Sequence, residues 1–189
     1  MSKVLIGCAL RKEVTTLRQH LDAQVDYLMT GIGTRRTQAT LEQHFRAQPP
    51  SLFIFTGTAG QLDPSLDMGQ IFFPEAWSFQ NGNCFYTDPG LTSLLRRQGW
   101  TIQGQGLTVK APIMRAKTRL ELYENTGAGA CDMEAAVALK IASDFGIPCL
   151  APKVVSDTAD TGLVGYWTHL DTNLRKLTHY LQELLSVVG

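Results

Sequence analysis

The feature that most constrains this chain is an alternation of short apolar runs with helically spaced segments. Lys3–Ala9, Val25–Thr30, Leu52–Phe55 and Pro148–Val155 read as buried strands. Between the first two, Arg11–Leu21 puts Val14, Leu17 and Leu21 on one helical face. Thr37–Ala47 predicts a second helix, stopped before Pro49–Pro50. In the middle, strands are expected at Gln70–Phe73 and Asn83–Tyr86, around the turn residues Asn81 and Gly82, and at Thr101–Val109. Helices are expected at Leu91–Gln98 and from Met114 through Glu124. Gly127–Cys131 reads as a strand, Asp132 as the N-cap of a helix over Met133–Phe145, and Tyr166–Val188 as a long leucine-bearing helix. Strands that are apolar on both faces need helices on both sides. The expectation is therefore a three-layer α/β single domain over residues 1–189, with a central mixed, mostly parallel sheet flanked by helices.

Composition narrows the function classes. Formal net charge is zero, and Arg11–Lys12, Arg35–Arg36 and Arg96–Arg97 are isolated pairs, so no nucleic-acid partner is expected. No apolar run reaches the roughly 20 residues of a membrane span. Cys8, Cys84, Cys131 and Cys149 form no C-x-x-C pair, which argues against a metal or redox site and for a reduced, cytoplasmic setting.

In parallel α/β sheets, ligands bind beyond the carboxyl ends of the strands. The residues there are Glu13, the Gly31–Gly33 turn, Thr56–Gly60, Asp132-Met133-Glu134 and Ser156–Asp160. Glu13, Glu134 and Asp157 would share one rim, the set that glycosidic cleavage needs: an acid for the leaving group and a base for water. Each has a structural reading beside it. Glu13 complements a helix dipole, Glu134 lies at a helix start that Asp132 can cap, and Ser156-Asp157 suits a turn. Thr56–Gly60 also suits a tight strand-to-helix connection. Gly31-Ile32-Gly33 fails as a dinucleotide fingerprint, because the third glycine position is Arg36 and the turn follows the second strand.

Four stretches carry a family resemblance: IGCALRKEV at Ile6–Val14, TGIG at Thr30–Gly33, TGTAGQL at Thr56–Leu62, and Asp132–Asp160 from DMEAAVA through VVSDTAD. In these the chain resembles the purine nucleoside phosphorylase/uridine phosphorylase superfamily, and within it the methylthioadenosine/S-adenosylhomocysteine nucleosidase branch. The resemblance implies cleavage of the N-glycosidic bond of a purine nucleoside, an adenosine derivative, with no cofactor or metal. It implies that Asp157 protonates the purine at N7, oriented by Ser156. Glu134 would bind the ribose hydroxyls, with Met133 against the sugar. Glu13 would activate water beside Thr58, Ala59 and Gly60. It further implies a homo-oligomer, a dimer or larger.

Phosphorylases of the superfamily hold phosphate with arginines. Phe55 stands at the expected place, and Glu13 would repel phosphate, so water is the expected nucleophile. Arg35 and Arg36 keep phosphorolysis, with phosphate as partner, as the alternative. The chain departs from the nucleosidase pattern in two places. Pro74–Leu91 is compressed, which opens the 5′ side of the pocket. The usual base-stacking aromatic is missing, leaving Ile113 and Met114, or Trp77 or Phe79, to pack the base. The segment Thr108–Met114 also resembles hopanoid-biosynthesis-associated phosphorylases, which implies an adenosylated lipid as another substrate reading. An inactive nucleoside-binding protein is the remaining reading.

Overall fold

The computed structural model describes residues 3–189, apart from the side chain of Leu163. In chain order the first half holds β1 (Val4–Cys8), α1 (Arg11–His20), β2 (Asp26–Met29), α2 (Thr34–Ala47), β3 (Leu52–Phe55) and β4 (Thr58–Gln61). There follow β5 (Ile71–Phe72), β6 (Ala76–Phe79), β7 (Cys84–Tyr86), α3 (Pro89–Arg97) and β8 (Gln105–Thr108). The chain ends with α4 (Ala116–Thr126), β9 (Ala130–Asp132), α5 (Ala135–Asp144), β10 (Cys149–Leu150), β11 (Lys153–Asp157) and α6 (Gly162–Val188).

Two sheets result. One is parallel, in the order β10-β3-β1-β2. The other is mixed, in the order β5-β11-β4-β9-β8-β6-β7, with antiparallel pairs at β5–β11, β4–β9 and β6–β7. Period-two alternation decides which layer each strand residue enters. Leu5, Phe53 and Phe55 pack toward α5 and the α2 residues Leu41 and Phe45. Ile6, Leu52 and Ile54 pack toward Leu17 of α1, Leu95 of α3 and the α6 row Leu170, Leu174, Leu177 and Leu181. These are the expected three layers.

Three expectations needed correction. The strand that enters the Asn81–Gly82 turn is β6, whereas the run at Gln70–Phe73 supplies only β5, which pairs with β11. Thr56–Gly60 is no strand-to-helix connection: after Phe55 the chain crosses from the first sheet to the second and continues as β4. Gly57 makes the step at φ 131, a conformation that side chains rarely adopt. The run from Pro148 is likewise two strands, β10 on β3 and β11 on β4, stepping between sheets beside Gly57. The two steps are tied together, since Thr56 Oγ1 donates to the Pro152 carbonyl at 2.8 Å and Val154 N donates to the Gly57 carbonyl at 3.0 Å. This double step delivers Thr58, Lys153 and Asp157 to one place.

Candidate active site

At the double step a cavity of about 230 Å³ opens, and its wall includes ten of the residues singled out from the sequence: Glu13, Thr58, Ala59, Gly60, Ile113, Met114, Met133, Glu134, Ser156 and Asp157. Glu13 comes from α1. Thr58, Ala59 and Gly60 come from β4, and Met133 and Glu134 from the turn before α5. Ile113 and Met114 lie in the loop after β8, while Ser156 and Asp157 end β11.

Glu13 caps its helix with one carboxylate oxygen and holds Thr58 with the other, on the cavity wall. Its Oε2 accepts the Leu10 N–H at 3.0 Å and so caps its own helix. Its Oε1 accepts from Thr58 N at 2.9 Å and Thr58 Oγ1 at 3.0 Å. Burial pushes its carboxyl above the ordinary range, against the pull of Lys153 and these hydrogen bonds. A Cβ on Gly57 would stand 2.6 Å from Glu13 Oε1, so this carboxylate requires the glycine next to Thr58.

Asp132 takes the capping task at α5, accepting from Ala135 N at 2.9 Å and from Thr108 Oγ1 at 2.8 Å. Glu134 is thereby released to the cavity, where its Oε1 accepts the Gly33 N–H at 2.7 Å. The Gly31–Gly33 turn thus serves Glu134. Burial, with Asp132 beside it, pushes the Glu134 carboxyl up to about 7. This has a consequence for stability. An acid whose folded value exceeds its unfolded value binds protons more tightly in the folded state. Its favourable contribution is therefore complete below its ordinary value of 4.5 and lost as pH rises to about 7. Glu134→Gln is expected to gain melting temperature relative to the parent across that window, by up to roughly 3 kcal/mol of stability. A parent–variant gap that does not change with pH would refute the assignment.

Asp157 reaches the cavity through a bulge. Val155 pairs with Ala59 and Asp157 with Gly60, so Ser156 is the extra residue that re-aims the strand end. Ser156 Oγ lies 2.6 Å from Asp157 Oδ1 and 3.1 Å from the Ala59 carbonyl. A hydroxyl has one proton for these two acceptors. With Asp157 ionised, Ser156 donates to it. With Asp157 protonated, Ser156 donates to Ala59 and accepts from Asp157. The pair therefore accommodates both states of an acid.

Sequence reasoning missed two buried cations. Lys153 contacts Asp132 Oδ2 at 3.1 Å and lies over the Phe55 ring at 4.2 Å. A lysine inside an apolar strand run was a readable signal of a buried partner. Arg119 on α4 pairs with Asp157 and carried no such signal, since Lys117–Glu121 reads as a solvated helix face. A third missed residue is Tyr166 of α6, an aromatic on the cavity wall. Burial, with Glu13 adjoining, pushes its phenol up to about 12, so it stays neutral. The alternative stacking residues lie outside the cavity wall. Trp77 is fully buried, donates to the Ala151 carbonyl at 3.1 Å and packs on Phe72. Phe79 packs on Phe85. Arg35 and Arg36 are exposed and lie outside the cavity wall.

Comparison with known proteins follows the same lines. The phosphorylase superfamily description matches residues 11–188. The chain belongs to that superfamily. No curated protein matches it. Among solved structures, it is similar to the 5'-methylthioadenosine/S-adenosylhomocysteine nucleosidase of Helicobacter pylori, with TM-score 0.88, 16% identity and 98% of each chain covered. The futalosine hydrolase of Helicobacter pylori gives TM-score 0.87 at 16% identity, covering 98% of this chain and 97% of that one. A Neisseria meningitidis nucleosidase gives 0.84 at 16% identity, covering 98% and 99%. At such identities the likeness establishes a shared fold. Among the described residues, no helix is long and apolar enough to cross a membrane.

Proposed function

We propose that this superfamily member hydrolyses the N-glycosidic bond of a purine nucleoside, an adenosine derivative, and releases the free base. The observation that carries the reading is the charge of the cavity. Four carboxylates (Glu13, Asp132, Glu134 and Asp157) face two cations, Lys153 and Arg119, and each cation is ion-paired to one of them. With both cations already engaged by carboxylates, neither is free to hold phosphate as co-substrate, and the carboxylates that remain can serve water and the sugar.

In this reading the purine lies against Asp157, Ile113 and Met114, and Asp157 delivers its proton to N7 as the bond to C1′ breaks. Glu134 accepts from ribose hydroxyls, and Met133 packs on the sugar. Glu13, held by Thr58, takes a proton from the attacking water. A bulky apolar 5′ group, as on an adenosylated lipid, is the second substrate reading. It is favoured by Ile32 and Met114, which line the cavity yet are about half exposed. Homo-oligomerisation belongs to the proposal as well, supported by exposed Val164 and Trp167 at the start of α6. A monomer by light scattering would remove it. A cytoplasmic setting fits the four free cysteines.

The test is chromatographic detection of free base from methylthioadenosine, S-adenosylhomocysteine, adenosine and inosine, each with and without phosphate. Base release independent of phosphate is the expected result. Release only with phosphate would replace hydrolysis by phosphorolysis, and nucleoside binding without release would make the chain a binding protein.

A further inference from the structure

All three nitrogens of the Arg119 guanidinium are engaged in the cavity wall. Its residue is 5% exposed, while much of α4 around it faces solvent. Nε donates to the Ile113 carbonyl at 2.9 Å, and Nη1 to the carbonyls of Gln61 and Asp157 at 3.2 and 3.3 Å. Nη2 pairs with Asp157 Oδ2. Asp157 Oδ1 is left to Ser156 and to the cavity. A methionine of similar size would fill the same volume without desolvating a charge. What the guanidinium adds is positive charge on the far oxygen of the acid, and a rigid tie from that acid to the loop bearing Ile113 and Met114.

We propose that Arg119 is a positioning residue that takes up the charge left on Asp157 when the purine departs. This rests on the reading of Asp157 as the acid. The C1′–N9 bond breaks with its electron pair going to the base, and N7 takes the proton from Asp157. Asp157 ends as a carboxylate that is almost fully buried. There an unpaired anion is costly, and Arg119 neutralises it through a fork already in place. Water oxygen bonds to C1′, and its proton passes to Glu13. The cycle closes when Glu13 releases that proton to solvent and Asp157 regains one. Because the same guanidinium holds the Ile113 carbonyl, the acid and the wall beside the base keep a fixed distance.

This role depends on the leaving group, which a purely structural role does not. The experiment compares Arg119→Met and Arg119→Lys on methylthioadenosine and on 4-nitrophenyl ribofuranoside, whose leaving group departs without a proton. For Arg119→Met, kcat on the nucleoside is expected to fall by about 10²–10³-fold, with KM within about threefold, while the nitrophenyl substrate loses less than about tenfold. Arg119→Lys keeps the charge without the fork, and is expected to recover part of the loss. Equal losses on both substrates, or unchanged nucleoside turnover, would overturn the proposal. Should Arg119→Met fail to fold, the Lys variant carries the same comparison, since loss of the fork still falls on the purine substrate alone. Asp157→Asn separates the two readings. If it loses nucleoside turnover while the Arg119 variants do not, only the role of Arg119 fails. If it retains turnover, the acid assignment fails with it.

Discussion

Asp157→Asn is expected to lose purine release by about 10²–10⁴-fold, the range that a positioned general acid contributes. The amide keeps a carbonyl oxygen for Arg119 but has no proton to deliver to N7. The loss is therefore expected in kcat, with nucleoside binding largely retained. Stability changes as well, because the substitution leaves the Arg119 guanidinium buried without its counter-charge. Removing one partner of a buried pair typically costs about 3–5 kcal/mol. The remaining carbonyl contacts of Arg119 hold the expected cost toward the lower end. Thermal melts of the single variants and of Asp157→Asn/Arg119→Met measure this, since the double variant is expected to recover stability without recovering turnover. If Asp157→Asn releases purine at near the parental rate, another group protonates the base.

Much of this arrangement was legible in the sequence, for physical reasons that apply residue by residue. Strands buried on both faces must be apolar throughout, and Val4–Cys8 and Leu52–Phe55 are, so the core strands announced themselves. The α6 leucines repeat at helical spacing and pack where they must. Most of the candidate site residues were legible because they lie at or just beyond the ends of strands read from the sequence, where an α/β sheet exposes its ligand-binding edge, although Thr58–Gly60 form a strand of their own. β4 was not legible. Thr-Ala-Gly-Gln has one β-branched residue and a glycine, and its strand character comes from pairing with β9 and β11, partners about 70 and 95 residues away by the register. The split between β10 and β11 escaped for the same reason, since Ala151-Pro152 marks a step only when β3 and β4 are known to diverge. Asp88 was missed as the cap of α3, although Asp followed by Pro is a readable start signal and the Asp88 side chain accepts from Leu91 N at 2.8 Å. Arg119 lay beyond sequence reasoning. Its partner is Asp157, and no local pattern links a helix interior to a strand end 38 residues later.

Glu13 separates hydrolysis from the other readings. Glu13→Gln is expected to lower hydrolysis by about 10²–10⁴-fold while nucleoside binding persists, because an amide cannot take the proton of the attacking water. The substitution also meets a geometric conflict. Both carboxylate oxygens accept N–H groups, Leu10 N on one side and Thr58 N on the other. A glutamine must turn its NH₂ toward one of them, at a cost of about 1–3 kcal/mol for the orphaned donor. A loss of turnover would therefore be ambiguous if measured alone. Glu13→Ala with added azide resolves it, since a small anionic nucleophile can attack C1′ without a base and leaves a glycosyl azide as product. Appearance of that product, with purine released at a restored rate, identifies the missing step as water activation. Asp157 must still be present for the restored release, so Glu13→Ala/Asp157→Asn with azide is expected to stay inactive on the nucleoside. If Glu13→Gln hydrolyses the nucleoside at near the parental rate, water is activated elsewhere in the cavity, and the excess of carboxylates around the sugar serves charge stabilisation alone.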